Sequence, residues 1–184
     1  MKNIVITGVP RSGKSTFIKM ILNKYNYNVV LSETITSAYA DMCMREGINT
    51  IDLSVAKNMA IDIFNKSVSF EPRLRFIFDA PDLNFQRIME FSKKNYIVIV
   101  FGYPKLTYDQ AFNNIRKYDT KEDWSYYEKD WKIRNLSISS VEDSKRLEKQ
   151  CKKANIKFID TSYDREDVLS STFEWFEKIV NSNF

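Results

Sequence analysis

Lys14 and Ser15 close the run Gly8-Val9-Pro10-Arg11-Ser12-Gly13-Lys14-Ser15, a complete G-x-x-x-x-G-K-[ST] spacing. An ammonium and a hydroxyl side by side behind two glycines are what a polyphosphate and its metal ion need. The loop backbone would wrap an anion in N–H groups, and a helix starting there would aim its positive end at the same place. Gly8 and Gly13 offer backbone conformations closed to other residues and let the chain approach phosphate closely. Lys14 would reach the β- and γ-phosphates, and Ser15 would sit on Mg2+. Val9, Pro10, Arg11, Ser12 and Thr16 complete the expected nucleotide contacts. The spacing implies binding of a nucleoside triphosphate with Mg2+; ATP is the expected one, the choice between ATP and GTP being open at this point.

Such a loop works only between a strand and a helix. Ile4-Val5-Ile6-Thr7 precedes it, and the helical run Thr16-Phe17-Ile18-Lys19-Met20-Ile21-Leu22 follows. Further strand-length apolar runs occur at 28–32, 75–79, 96–101 and 156–160. Helical periodicities lie between them, near 51–64, 83–91, 141–151 and 168–180. Strands alternating with helices imply an α/β protein with a parallel sheet covered on both faces. One domain over 1–184 is expected. Residues 105–140 break the alternation: Lys105, Arg116, Lys117, Lys121, Lys132 and Arg134 are interleaved with Tyr118, Trp124, Tyr126, Tyr127 and Trp131. This insertion reads as a lid carrying cations to the phosphates, or as a solvated helical pair whose aromatic residues pack. Arg116 and Arg134 are its candidate catalytic cations, because charge developing on a transferred phosphoryl group needs compensation.

Composition narrows the chemistry. There is no histidine among the 184 residues, which removes Ser-His-Asp triads and His-ligated zinc. Cys43 and Cys151 share no short spacing and read as free thiols. The net charge of +4 is mild and dispersed, too little to argue for nucleic acid. No run approaches the ~20 apolar residues of a membrane span. A cytoplasmic protein without a membrane is expected.

The motif I-T-G-V-P-R-S-G-K-S-T resembles the G-x-P-G-S-G-K-S-T opening of adenylate-kinase-like and 2-phosphoglycerate-kinase-like P-loop proteins, with Arg11 where that pattern usually has glycine. Neither Gly47 nor Gly102 follows an aspartate three positions earlier, so the D-x-x-G switch of regulatory GTPases is missing. The resemblance implies a three-layer P-loop NTPase fold, a five-stranded parallel sheet of order 2-3-1-4-5, and kinase activity on a small-molecule or nucleotide acceptor. It implies an acceptor site among Glu33, a helical segment near 34–70, and Asp79. Glu33, in Leu31-Ser32-Glu33-Thr34-Ile35, resembles the acid that orients the acceptor hydroxyl; a helix-terminal acid is the alternative. Asp79 ends the run F-I-F-D, where a carboxylate faces the crevice of an open α/β sheet and would serve catalysis or metal binding. A cap for the next helix is the alternative. The family's glycine-phenylalanine-proline-arginine continuation is here Ala80-Pro81-Asp82, and a monophosphate acceptor is the less secure for it. Thr161 and Ser162 resemble the adenine-side loop. Two rivals stay open: a partner-dependent ATPase or switch that docks through 105–140, and a non-catalytic nucleotide-binding module.

Overall fold

The continuously apolar runs take the middle of the sheet. β1 (Ile4–Gly8) and β4 (Ile97–Gly102) are buried at every residue and pair in parallel from Ile4–Ile97 to Gly8–Phe101. β3 (Phe76–Asp79) flanks β1 on its other side, with β2 (Asn28–Leu31) and β5 (Lys157–Asp160) at the edges. The sheet is five-stranded and parallel, in order β2-β3-β1-β4-β5. This is a computed structural model that describes residues 2–48, 50–81, 83–121 and 123–182. Asp82, in the departure after β3, lies outside the described residues.

Alternate residues of a strand point to opposite faces, so an unbroken apolar run feeds two cores. Val5, Phe78, Val98 and Val100 enter one core, against α3 (Leu53–Phe70), α4 (Phe85–Lys93) and α6 (Asp130–Ala154). Ile4, Ile6, Ile77, Ile97, Ile99 and Phe101 enter the other, against α1 (Lys14–Lys24) and α7 (Arg165–Asn181). Aromatic rings anchor both. Phe64 stacks on Phe78 with centroids 4.8 Å apart, and Phe17 meets Phe101 at 5.5 Å. Cys43 and Cys151 are free and buried. Among the described residues, no helix is long and apolar enough to cross a membrane.

The segment after β2 forms α2 (Ser32–Arg45) and then α3, in keeping with the helical reading of 34–70. The stretch 105–140 is largely helical. It holds α5 (Tyr108–Tyr118), opened by a Thr107–Gln110 capping box, and a 3-10 turn at Trp124–Tyr127. The helix expected over 141–151 is the second half of α6, which starts at Asp130, so the expected boundary at residue 140 falls inside a helix. Serines hide it. The buried face runs Ile133, Ser137, Ser140, Val141, Ser144, Leu147 and Cys151, with hydroxyls where apolar periodicity would be sought. Ser137 and Ser144 return their hydroxyls to carbonyls four residues back, which lets a polar face be buried. Of the insertion's aromatic residues, Tyr126 and Tyr127 meet ring to ring at 5.1 Å, while three stay largely exposed. Trp124 is 59% exposed, Tyr127 72% and Trp131 58%.

Candidate active site

The loop between β1 and α1 is shaped by close backbone approach. Gly8 has φ +127°, and a Cβ there would stand 2.0 Å from the Phe101 carbonyl oxygen of the neighbouring strand. No other residue fits. Gly13 adopts φ 99° just before the first helical residue, Lys14. Arg11 is also left-handed, φ 61°, so it keeps a glycine-like conformation at the position where the resembled pattern has glycine.

Buried polar contacts brace this loop from below. The Thr161 hydroxyl donates to the Ser12 and Gly102 carbonyls at 3.1 and 3.2 Å, and the Tyr103 hydroxyl donates to the Pro10 carbonyl at 3.0 Å. Ser12 Oγ donates to the Val9 carbonyl at 2.8 Å. Lys14 is 8% exposed, and its ammonium donates to the carbonyls of Gly8 and Val9 at 3.1 and 2.7 Å. The cation therefore folds back onto the carbonyls of the loop it belongs to. Ser15 and Thr16 open α1 on the exposed side.

Asp79 ends β3 next to Ile6 of β1, and its Oδ1 is buried without a hydrogen-bond partner. Burial pushes its pKa up from 3.8 to about 6; nearby Lys14 pulls it down and Glu33 pushes it up. These three groups are thus one electrostatic cluster at the carboxyl ends of β1, β2 and β3. The capping alternative for Asp79 fails, because Asn84 caps α4 by accepting from Arg87 N–H. Glu33 lies in the exposed first turn of α2, where the helix dipole favours an acid. The helix-terminal reading of Glu33 is met by this position.

Two cavities open on the loop. One of about 540 Å³ is lined by Ser12 to Thr16, Lys19, Tyr118, Asp123 and Arg165. A smaller one of about 320 Å³ adjoins it, between Tyr103, Ile115 and Tyr118 on one side and Thr161 to Arg165 on the other. A third, of about 550 Å³, lies on the far side of Gly8–Pro10, between α4 and α6. The buried Thr7 Oγ1, which has no partner, is on its wall.

The expected insertion cations are held in bonds to neighbouring residues of their own segment. Arg116 is held by Asp130 at 2.6 Å, by Asp119 at 3.4 Å and by the Ser125 and Glu128 carbonyls at 2.8 and 2.7 Å. Arg134 pairs with Asp109 at 3.0 Å and stands 4.3 Å over the Phe112 ring. Arg11 pairs with Asp119 and Asp123. Arg75 is bound to its own turn, at the Pro72 and Leu74 carbonyls, and Arg87 to Glu90. The cation that sequence reasoning missed is Arg165. Its guanidinium stands 4.9 Å over the Tyr118 ring, and Nε lies 3.3 Å from where a Gly13 Cβ would be. The only hint was its position three residues past Ser162. Ser162 Oγ accepts the Lys105 N–H at 3.0 Å, and Thr161 is a strut below the loop, 6% exposed.

No protein-family model and no curated protein matches the chain. Solved structures do. A shikimate kinase from Bacteroides thetaiotaomicron superposes with a TM-score of 0.60 at 12% identity, over 96% of this chain and 98% of that one. A sugar kinase from Janibacter sp. gives 0.60 at 12% identity, over 96% and 95%. A gluconokinase from Sinorhizobium meliloti gives 0.56 at 13% identity, over 100% and 98%. Identities this low speak of architecture alone. The chain has the fold of the small-molecule P-loop kinases.

Proposed function

We propose that the protein is a phosphotransferase that moves the γ-phosphoryl group of Mg·ATP to a small hydroxyl-bearing acceptor. The observation that carries this reading is Asp79: a half-buried carboxylate at the end of β3 that feels the charge of the loop lysine and whose buried Oδ1 has no hydrogen-bond partner. A buried carboxylate without a partner is costly unless a ligand meets it. Lys14 and the loop amides would bind the polyphosphate, with the base in the cavity walled by Tyr118, Tyr103 and Thr161–Arg165. Asp79 and the Ser15 hydroxyl suit a hard cation, being oxygen donors beside the loop; they would hold the Mg2+. That ion would neutralise charge on the transferring group.

The acceptor would lie in the cavity between α4 and α6, or toward Glu33, with its hydroxyl oriented by Glu33 or Asp79. In the α4–α6 cavity the charged lining groups are Asp143 and Arg146, which pair with each other at 2.7 Å, among Thr7, Asn84, Ser139 and Ser140. Such a lining favours an uncharged, hydroxyl-rich compound over an anion. Arg165, which faces the loop over Tyr118, is the better placed cation to act on the phosphates; Arg116 and Arg134 would hold the insertion together. Positioning and charge compensation then account for the catalysis.

The test is ADP release by the purified chain with Mg·ATP across sugars, polyols, sugar acids and nucleosides, with the phosphorylated product identified by mass spectrometry. Acceptor-dependent ADP release with a phosphorylated product is expected. ATP consumption independent of every acceptor would refute the transferase reading. It would favour the second one, a partner-dependent ATPase, for which the exposed Trp124, Tyr127 and Trp131 speak.

A further inference from the structure

Arg11 holds a left-handed backbone, φ 61°, a conformation costing a residue with a side chain on the order of 1 kcal/mol and glycine nothing. Its side chain spans from the loop to residues more than a hundred positions away. Nη2 donates to Asp119 Oδ1 at 2.5 Å and to Ser125 Oγ at 2.6 Å, and Nη1 faces Asp123 Oδ1 at 3.0 Å. The Asp119 carboxylate is 2% exposed and Ser125 is fully buried. Asp123 and Arg11 both line the cavity above Ser12–Thr16. One carboxylate, Asp123, therefore stands over the phosphate loop and a second, Asp119, is buried beside it, both held by a guanidinium that the loop itself supplies.

Each carboxylate also has a second set of partners. Asp119 accepts from Ser125 Oγ at 2.6 Å and faces Arg116 at 3.4 Å. Asp123 accepts the Thr120 N–H and hydroxyl at 2.8 and 2.9 Å. Removing Arg11 from them would not strand a buried charge, the event that makes a broken buried ion pair expensive. The network is arranged so that one member can leave.

Resting on the reading that the loop binds polyphosphate, we propose that Arg11 is an exchangeable latch: on the empty loop it holds Asp119, Asp123 and Ser125 down, and polyphosphate competes with those carboxylates for its guanidinium. Nucleotide occupancy is thereby coupled to the turn that carries Trp124, which lies between Asp123 and Ser125. Trp124 is 59% exposed and serves as the reporter.

The test is calorimetric titration of the full chain with ATP and with inorganic tripolyphosphate, alongside tryptophan emission. Asp123→Asn removes a partly exposed competitor and is expected to tighten tripolyphosphate about threefold or more. In an Arg11→Gly background the same substitution is expected to have no effect on affinity, which separates competition for the guanidinium from simple relief of repulsion. Arg11→Gly relieves the left-handed backbone, so folding is not in question. Emission is expected to shift on ligand binding in wild type, and not in Arg11→Gly or Trp124→Phe. If wild type binds but Asp123→Asn leaves affinity unchanged or weaker, or emission is indifferent to Arg11, the latch is overturned while the nucleotide reading stands. If wild type binds neither ligand, the phosphate-site reading falls and takes the latch with it.

Discussion

Asp79→Asn should make the ligand-free protein more stable while removing its function. Burial lifts the folded-state pKa of Asp79 from 3.8 to about 6, a rise of roughly two units. At about 1.4 kcal/mol per unit, ionising this group in the folded chain costs about 3 kcal/mol. The sign follows from proton binding. Between pH 3.8 and about 6 the folded state keeps a proton that the unfolded state has lost, so wild-type stability falls as pH rises through that window and levels off above it. Asparagine carries no charge but is still polar and unpartnered, so the variant should recover about 1–3 kcal/mol at pH 7.5. In a chain of 184 residues this corresponds to a melting temperature higher by roughly 3–10 °C. Thermal melts of both proteins from pH 4 to 8, without nucleotide or divalent metal, read it directly. The gap should be small near pH 4 and full above pH 6. A variant less stable than wild type at pH 7.5, or a gap constant across the range, would refute the argument.

Gly8→Ala should lower stability by roughly 3 kcal/mol, because its Cβ would meet the Phe101 carbonyl oxygen at 2.0 Å in a backbone region closed to alanine; denaturant unfolding checks this, and a change under 1 kcal/mol would contradict it. Ser144→Ala should cost about 1–3 kcal/mol, since the Tyr103 N–H, 3.0 Å from Ser144 Oγ, loses its acceptor in a buried place. Faster amide exchange at Tyr103 would accompany that loss, and an unchanged melting temperature would speak against it.

The loop was readable because every letter of it answers to backbone geometry: the Gly8 contact, the Gly13 turn and the helix start at Lys14 are local consequences of local residues. β1 and β4 were readable because burial on both faces leaves an unbroken apolar run. The first half of α6 was not, since Ser137, Ser140 and Ser144 form its buried face and carry no hydropathy signal. The arginines of the insertion were ambiguous for another reason. Asp109, Asp119, Asp123 and Asp130 all lie within reach of them along the chain, and only the fold decides that Arg116 takes Asp130 and Asp119 while Arg134 takes Asp109. Arg165 was missed because its meeting with Tyr118 joins the end of α5 to the start of α7, far apart in sequence. Contacts set by tertiary geometry leave no spacing to count.

The central claim, that the amides of the β1–α1 turn and the Lys14 ammonium enclose a triphosphate, is tested most directly by isothermal titration calorimetry with Mg·ATP and Mg·GTP. A saturable one-to-one heat is expected from wild type and at least a tenfold loss of affinity from Lys14→Ala with its fold retained, a charge-assisted contact being worth about 1.5–3 kcal/mol. No heat from either nucleotide, or equal binding by Lys14→Ala, would contradict it.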